Sequence, residues 1–274
     1  MLQKLTVKTI PALVYFYFIV VITSLLAADL FATEPSQPDN VDYTQYELQT
    51  LTAKPGKLKE LHAWFRAHQG DVLAKHGATN IAFLVPAGEN PESKLVCLYK
   101  YPSTRAILQF SRAVKADPLW KPLDTAHDGP ERLIEKMDIV TLGQTDFSPE
   151  FIPEKAIQPR VFELRKYSCP SKEKRVYLDN RFREHTMALF KKHGMENLIY
   201  WHPLGIEDSE RKLVYLLGHK SVEAAKNSFA KFRADPEWLN VKAQSEEQAG
   251  GSLTEKENGV LSEFFVATEY SPLR

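Results

Sequence analysis

Only two cysteines, Cys97 and Cys169, occur in the 274 residues, too few for a disulfide framework. Cys97 lies in the apolar run Leu95 to Tyr99, where a thiol behaves as a small buried hydrophobe. Net charge is absent too. Thirty-five basic residues balance thirty-five acidic ones, which leaves no field to steer the chain onto nucleic acid, and nucleic acid is not an expected partner. HExxH, GxSxG, Walker, GxGxxG and paired CxxC motifs are all missing, which excludes assigning a chemistry from motif alone. No cofactor is expected, and no spacing of His, Cys, Asp or Glu argues for a metal. Disorder is excluded by abundance: 43% of residues are hydrophobic and 26% charged, enough apolar material for two ordinary domains.

The chain starts with a charged, then apolar, then small-residue order. Lys4 and Lys8 precede an apolar stretch from about Ile10 to Leu26, followed by Ala27, Ala28 and the polar Thr33 to Pro38. This order predicts a secretory signal peptide over residues 1–32, cleaved near Ala28 or Ala32. The alternative is an uncleaved anchor, because the run approaches the ~20 residues that span a bilayer. Both readings place the folded part outside the cytoplasm, periplasmic or extracellular, and the second adds membrane attachment.

From there on the chain repeats itself. Tyr46-Glu47-Leu48 returns as Phe162-Glu163-Leu164, and Phe65-Arg66-Ala67-His68 as Phe182-Arg183-Glu184-His185. Lys75-His76-Gly77 returns as Lys192-His193-Gly194, Asp117-Pro118-Leu119-Trp120 as Asp235-Pro236-Glu237-Trp238, and Thr145-Asp146-Phe147-Ser148-Pro149 as Thr268-Glu269-Tyr270-Ser271-Pro272. The separation between matched segments lengthens along the chain and jumps at the glycine-containing stretch 248–259, as a loop insertion in one copy of a duplication would make it. Two domains follow, 43–149 and 161–272, joined by a proline-bearing linker at 150–160.

Each copy carries a strand, helix, strand, strand, helix, strand pattern. In the second copy Val161 to Tyr167 alternates as a strand, and Leu178, Phe182, His185 and Leu189 form a helical stripe. Gly194 closes that helix. Asn197 to His202 and Lys212 to His219 are strands, Ser221 caps a helix running to about Ala234, Asp235-Pro236 starts another, and Glu263 to Thr268 is the closing strand. A βαββαβ order with both helices on one face of an antiparallel sheet is ferredoxin-like. The fold class is therefore α+β: duplicated ferredoxin-like domains whose bare sheet faces pack face to face into a barrel, as a pseudo-dimer within one chain or as a homodimer.

The motifs Tyr46-Glu47-Leu48, Phe65-Arg66-Ala67-His68, Lys75-His76-Gly77 and Asp117-Pro118-x-Trp120, with their second copies, resemble the NIPSNAP domain over nearly everything from Tyr43 to Pro272. With its leader-like start, the chain is similar to an exported bacterial type of that family. The resemblance implies a dimeric α/β-barrel fold, shared with antibiotic-biosynthesis monooxygenases, EthD-like proteins and haem-binding relatives. It implies no agreed enzymatic activity. The mitochondrial and vesicle-traffic roles of animal members do not carry over to an exported protein, and fold likeness does not supply function.

Candidate site residues come from position. His68 and His185 fall on the apolar helix stripe and are expected to face the sheet, as a base, a ligand or a satisfied core histidine. His76 and His193 read as helix-end residues. On the strand from Val161, alternation separates Phe162 and Leu164 from Glu163, Arg165 and Tyr167. With the apolar pair against the helices, Glu163 and Arg165 would face the barrel cavity, with Glu47 as the equivalent acid. Tyr200 and His202 add titratable groups on the next strand. Two functions stay open. One is a non-catalytic module binding a small apolar molecule or a protein partner. The other is a cofactor-independent oxygenase or isomerase using His185, Glu163 or Tyr200 for proton transfer.

Overall fold

The computed structural model describes residues 44–126, 128–154 and 160–274. The predicted leader at 1–32 and part of the predicted linker fall outside these. No helix among the described residues is long and apolar enough to cross a membrane.

The first half runs β1 (Gln45–Ala53), α1 (Leu58–Lys75), β2 (Thr79–Pro86), β3 (Lys94–Tyr101), α2 (Thr104–Lys115), a 3-10 turn (Pro118–Leu123) and β4 (Ile134–Gln144). The second runs β5 (Val161–Ser168), α3 (Lys172–Arg181), α4 (Met187–Lys192), β6 (Glu196–Leu204), β7 (Lys212–His219), α5 (Val222–Ala234), α6 (Pro236–Gln248) and β8 (Val260–Ala267). All strand pairings are antiparallel, and the strands close in the order β1-β3-β2-β8-β5-β7-β6-β4. The halves meet at two short seams. Leu84 to Pro86 of β2 pair with β8, and Thr141 to Gln144 of β4 pair with β6. Closure thus joins the two sheets edge to edge as well as face to face, which removes most unpaired strand edges.

Strand alternation sorts the side chains into three apolar layers. Leu48, Val96, Leu98, Phe162, Leu164, Trp201 and Phe265 fill the barrel interior. Phe65, Phe83, Cys97 and Tyr99 pack outward beneath the helices of the first half, and Phe182, Phe190, Tyr215 and Phe232 do so in the second. Both cysteines are free and buried, and burial pushes each thiol up to about 12.

Two of the repeated motifs meet each other in both halves. Gly77 and Gly194 end their helices at φ +85° and +78°, a conformation that costs glycine little. That turn presents Lys75 and His76 to Asp117, at 2.8 and 3.0 Å, and Lys192 and His193 to Asp235, at 2.8 and 2.7 Å. Each aspartate also caps the next helical segment, accepting from Leu119 N at 3.1 Å or Glu237 N at 2.9 Å. These bonds hold both carboxyls well below the usual carboxylate range.

The closing repeat motif is a reciprocal clasp. Thr145 N donates to Tyr200 O and Thr268 N to Phe83 O, at 3.0 and 2.9 Å. Tyr200 N returns a bond to Ser148 Oγ, and Phe83 N to Ser271 Oγ, both at 3.0 Å. Arg183 grips Asp146 at 2.7 Å, and Arg66 donates to Glu269 from Nε at 2.9 Å. Each half therefore ends on the first helix of the other.

Ser271 is buried, so Ser271→Ala leaves the Phe83 N–H without its acceptor and is expected to cost about 1–3 kcal/mol. Arg66→Ala removes an exposed ion pair and is expected to cost less than about 1 kcal/mol. Urea unfolding of the two variants checks the order. The two aspartates generate a pH prediction. A depressed carboxyl contributes stability in full above the unfolded aspartate value of about 3.9 and loses it as pH falls through the lower folded value. Asp117→Asn with Asp235→Asn is expected to lower stability at neutral pH and to flatten its decline below about pH 4, read by denaturant midpoints across pH.

Candidate functional site

The two faces of β5 are reversed from the sequence-based expectation. Phe162 and Leu164 belong to the barrel interior, while Arg165 and Tyr167 pack with Tyr215 and Phe229 beneath the helices and Glu163 is bonded to His219. The interior beside Phe162 and Leu164 is lined by apolar side chains such as Leu48, Leu216 and Phe265, whereas the outer layer supplies Glu163 and Arg165 with bonding partners. Glu163 and Arg165 therefore do not line the barrel cavity, and neither does Glu47, which bonds Tyr101 of the outer layer at 2.9 Å.

The pocket lies at one end of the barrel. It holds about 220 Å³ and is lined by Leu48, Val96, Val140, Leu164 and Phe265, then by Thr50, Lys94, Asp138, Lys166 and Glu263. On each contributing strand the interior face steps from apolar to polar two residues nearer the mouth: Leu48 to Thr50, Val96 to Lys94, Val140 to Asp138, Leu164 to Lys166, Phe265 to Glu263. The step puts polar groups where the barrel meets water. At the mouth Lys94 lies 3.3 Å from Glu263 and 3.3 Å from Glu92, and Lys166 lies 3.6 Å from Glu263. A second hollow of about 270 Å³ adjoins the first and shares Lys94, Glu263 and Phe265 with it, so the Lys94–Glu263 pair stands between the two. None of the mouth residues was nominated from the sequence. The apolar-to-polar step at i and i+2 is the signal that was there, but it designates a mouth only once the five strands are known to end together.

The remaining nominated residues lie apart from this pocket. Tyr200 is fully buried, stacked on Tyr215 at 4.9 Å, and its hydroxyl donates to Asn197. Burial raises its pKa well above the ordinary tyrosine value. His202 Nε2 accepts from Arg175 at 2.8 Å beside Asp179, between β6 and α3. His68 is half-buried against Trp64 at 5.6 Å. His185 does not face the sheet: its side chain is 43% exposed and its ring lies 3.9 Å from Glu184. The cause is a π-turn at Phe182–Thr186. One extra residue in that turn shifts the helical phase, so Phe182, Thr186, Leu189 and Phe190 point inward and His185 rotates out of the stripe.

The nominated pair Glu163 and Arg165 forms the centre of a buried polar cluster. Arg165 donates to Glu163 at 2.5 Å and to Tyr215 Oη at 2.9 Å, and its guanidinium sits 4.5 Å from the Phe229 ring centre. His219 Nε2 donates to the other Glu163 oxygen at 2.9 Å, and Ser262 donates at 2.6 Å. Burial alone would raise the Glu163 pKa, but His219, Arg165 and Ser262 together outweigh it and hold it below the ordinary value. At the matching position of the first half, Glu47 accepts from Tyr101 and Gln49, its hydrogen-bond partners among the described residues. There burial wins, and its pKa is raised. Arg165→Met takes the guanidinium from a buried carboxylate and leaves it with His219 and Ser262, and is expected to destabilise the chain by about 3 kcal/mol. Gln49→Met, which removes one neutral donor, is expected to cost about 1 kcal/mol. Equilibrium urea unfolding distinguishes the two.

The NIPSNAP family profile matches residues 46–149 and 162–272. Comparison with curated proteins yields no match. Among solved structures, a chlorite dismutase from Candidatus Nitrospira defluvii has a similar fold, with a TM-score of 0.50 and 9% identity over 83% of this chain and 92% of that one. A protein assigned as a monooxygenase from Lactobacillus acidophilus aligns at TM-score 0.49 and 14% identity, over 82% of this chain and 94% of that one. A NIPSNAP family protein of unknown function from Agrobacterium tumefaciens aligns with 45% of this chain over its whole length, at TM-score 0.35 and 19% identity. With both halves matched by the family profile, and with a closed antiparallel α+β barrel as the fold, the chain belongs to the NIPSNAP family.

Proposed function

We propose that this protein is a non-catalytic binding module that takes a small amphipathic molecule into the pocket at the barrel mouth. The observation that carries the reading is the pocket's two-part lining, an apolar floor of Leu48, Val96, Leu164 and Phe265 beneath a rim of Thr50, Lys94, Asp138, Lys166 and Glu263. Apolar walls with a few placed polar groups are the ordinary make-up of a small-ligand site, and about 220 Å³ is below the roughly 300 Å³ at which drug-sized sites begin. The ligand is correspondingly small. The acid–base groups Glu163 and Tyr200 lie on the opposite face of the sheet and are saturated by internal bonds. For that reason we place binding ahead of oxygenation or isomerisation.

We read the two halves as duplicated ferredoxin-like units closed on each other as a pseudo-dimer. The repeated element order, the reciprocal seams and the reciprocal clasp support a barrel completed within one chain. Export from the cytoplasm remains part of the proposal, resting on the charge and apolar order of residues 1–32.

Hexanol is a suitable neutral probe. Titrating it into isotope-labelled protein is expected to give saturable amide shifts confined to Leu48, Val96, Val140, Leu164 and Phe265 and their neighbours, and to lose them in Val96→Phe, which fills the floor. Shifts that are absent, or spread over the surface without saturating, would overturn the pocket as a binding site.

A further inference from the structure

Glu263 occupies a position that a ligand's own head group fits. Its two oxygens are divided between the halves of the molecule: Oε1 lies 3.3 Å from Lys94 Nζ of β3, and Oε2 lies 3.6 Å from Lys166 Nζ of β5. Two cations reaching one carboxylate from opposite sides of an opening form a clamp for a planar anion. The apolar floor begins immediately below, since Phe265 is the next interior residue on β8 and Leu164 the next on β5. The other acid of the rim is already matched, with Asp138 2.7 Å from Lys136. Among the described residues Glu263 is the only carboxylate in ion-pair range of Lys166. The second acid near Lys94, Glu92, is 69% exposed, where an ion pair is worth little. The mouth carries Lys94, Lys136 and Lys166 against Glu92, Asp138 and Glu263, and within this balanced set it is the Glu263 carboxylate that fills the clamp between Lys94 and Lys166.

Resting on the pocket reading above, we propose that the ligand is a small monocarboxylate with an unbranched apolar tail, its head group held between Lys94 and Lys166 and its tail on Leu48, Val96, Leu164 and Phe265, and that Glu263 is its built-in competitor. The Glu263 side chain is 43% exposed, so it has solvent to move into when a ligand carboxylate takes its place. An uncharged molecule of the same shape leaves Glu263 where it is and gains only the floor. An amine finds both Glu263 oxygens already taken by Lys94 and Lys166 and has to displace one of them. The ranking of head groups is carboxylate, then alcohol, then amine, and it weakens with salt because the clamp is open to water.

Calorimetric titration of the full chain with sodium hexanoate, hexanol and hexylamine tests this. Hexanoate is expected to bind about tenfold tighter than hexanol, with hexylamine weakest. Lys166→Met is expected to bring hexanoate down to the hexanol value. Glu263→Gln, which removes the competing charge and keeps the shape, is expected to tighten hexanoate by about tenfold and leave hexanol unchanged. Both residues have side chains more than 40% exposed, so neither variant depends on repacking a core. Equal binding of hexanoate and hexanol, tighter binding of hexylamine, or a Glu263→Gln variant that weakens hexanoate would each overturn the carboxylate assignment while leaving the pocket in place. Failure of all three probes to bind would overturn the pocket reading itself, and this inference with it.

Discussion

Each four-stranded sheet in this protein has helices on one face and none on the other, and everything else follows from the need to cover that second face. A sheet whose inner face reads Leu48, Val96 and Leu98, or Phe162, Leu164 and Phe265, is not stable against water. The two halves therefore serve as each other's second layer. The order β1-β3-β2-β8-β5-β7-β6-β4 lets each half's last strand pair with the other half's second strand, so the edges that a lone sheet would expose are bonded where the halves meet.

Burial of two apolar faces against each other also dictates where polarity goes. Charge is expelled from the closed interior to two places. One is the barrel mouth, where Lys94, Lys166, Asp138 and Glu263 reach solvent. The other is the layer between sheet and helices, where a charge is tolerated if it brings its own partners. The two halves treat the second place differently. The strand registers put Glu47 opposite Tyr99 with Tyr101 two residues on, and Glu163 opposite Leu217 with His219 two residues on. Exchanging Gln49 and Tyr101 for Arg165 and His219 changes a carboxyl that burial raises into one that its neighbours lower. The same backbone position thus carries a carboxyl with uncharged partners, Tyr101 and Gln49, in one half and one paired with Arg165 in the other.

The repeated motifs divide in the same physical way. Lys-His-Gly and Asp-Pro-x-Trp meet in both halves as an ion pair and a helix cap, and the Thr-Asp/Glu-Phe/Tyr-Ser-Pro motif ties each half to the other. The first set locks the helices within each half, and the second crosses between the halves and holds the barrel closed. The groups at the mouth belong to none of these motifs, and the position of Glu263 between lysines from both halves exists only because the two sheets face each other.

The repeated motifs, the order of strands and helices, the glycine-terminated helices and the start of α6 at Asp235-Pro236 were legible in the sequence, because each is written in local periodicity or in a residue with a special backbone role. The sequence also brought Glu163 and Arg165 together, two residues apart on one strand face. Which face that was, it did not determine: alternation separates two faces without saying which one meets the helices, and only the closure of the barrel decided that Phe162 and Leu164 turn inward. His185 escaped for a related reason. A single π-turn moves a helical stripe by one residue, and with that turn in place Phe182 and Phe190 are buried in the core beneath the helices. The pocket was the least legible part, since it is made of single residues from five strands that are distant along the chain, and only tertiary structure brings their ends to one opening.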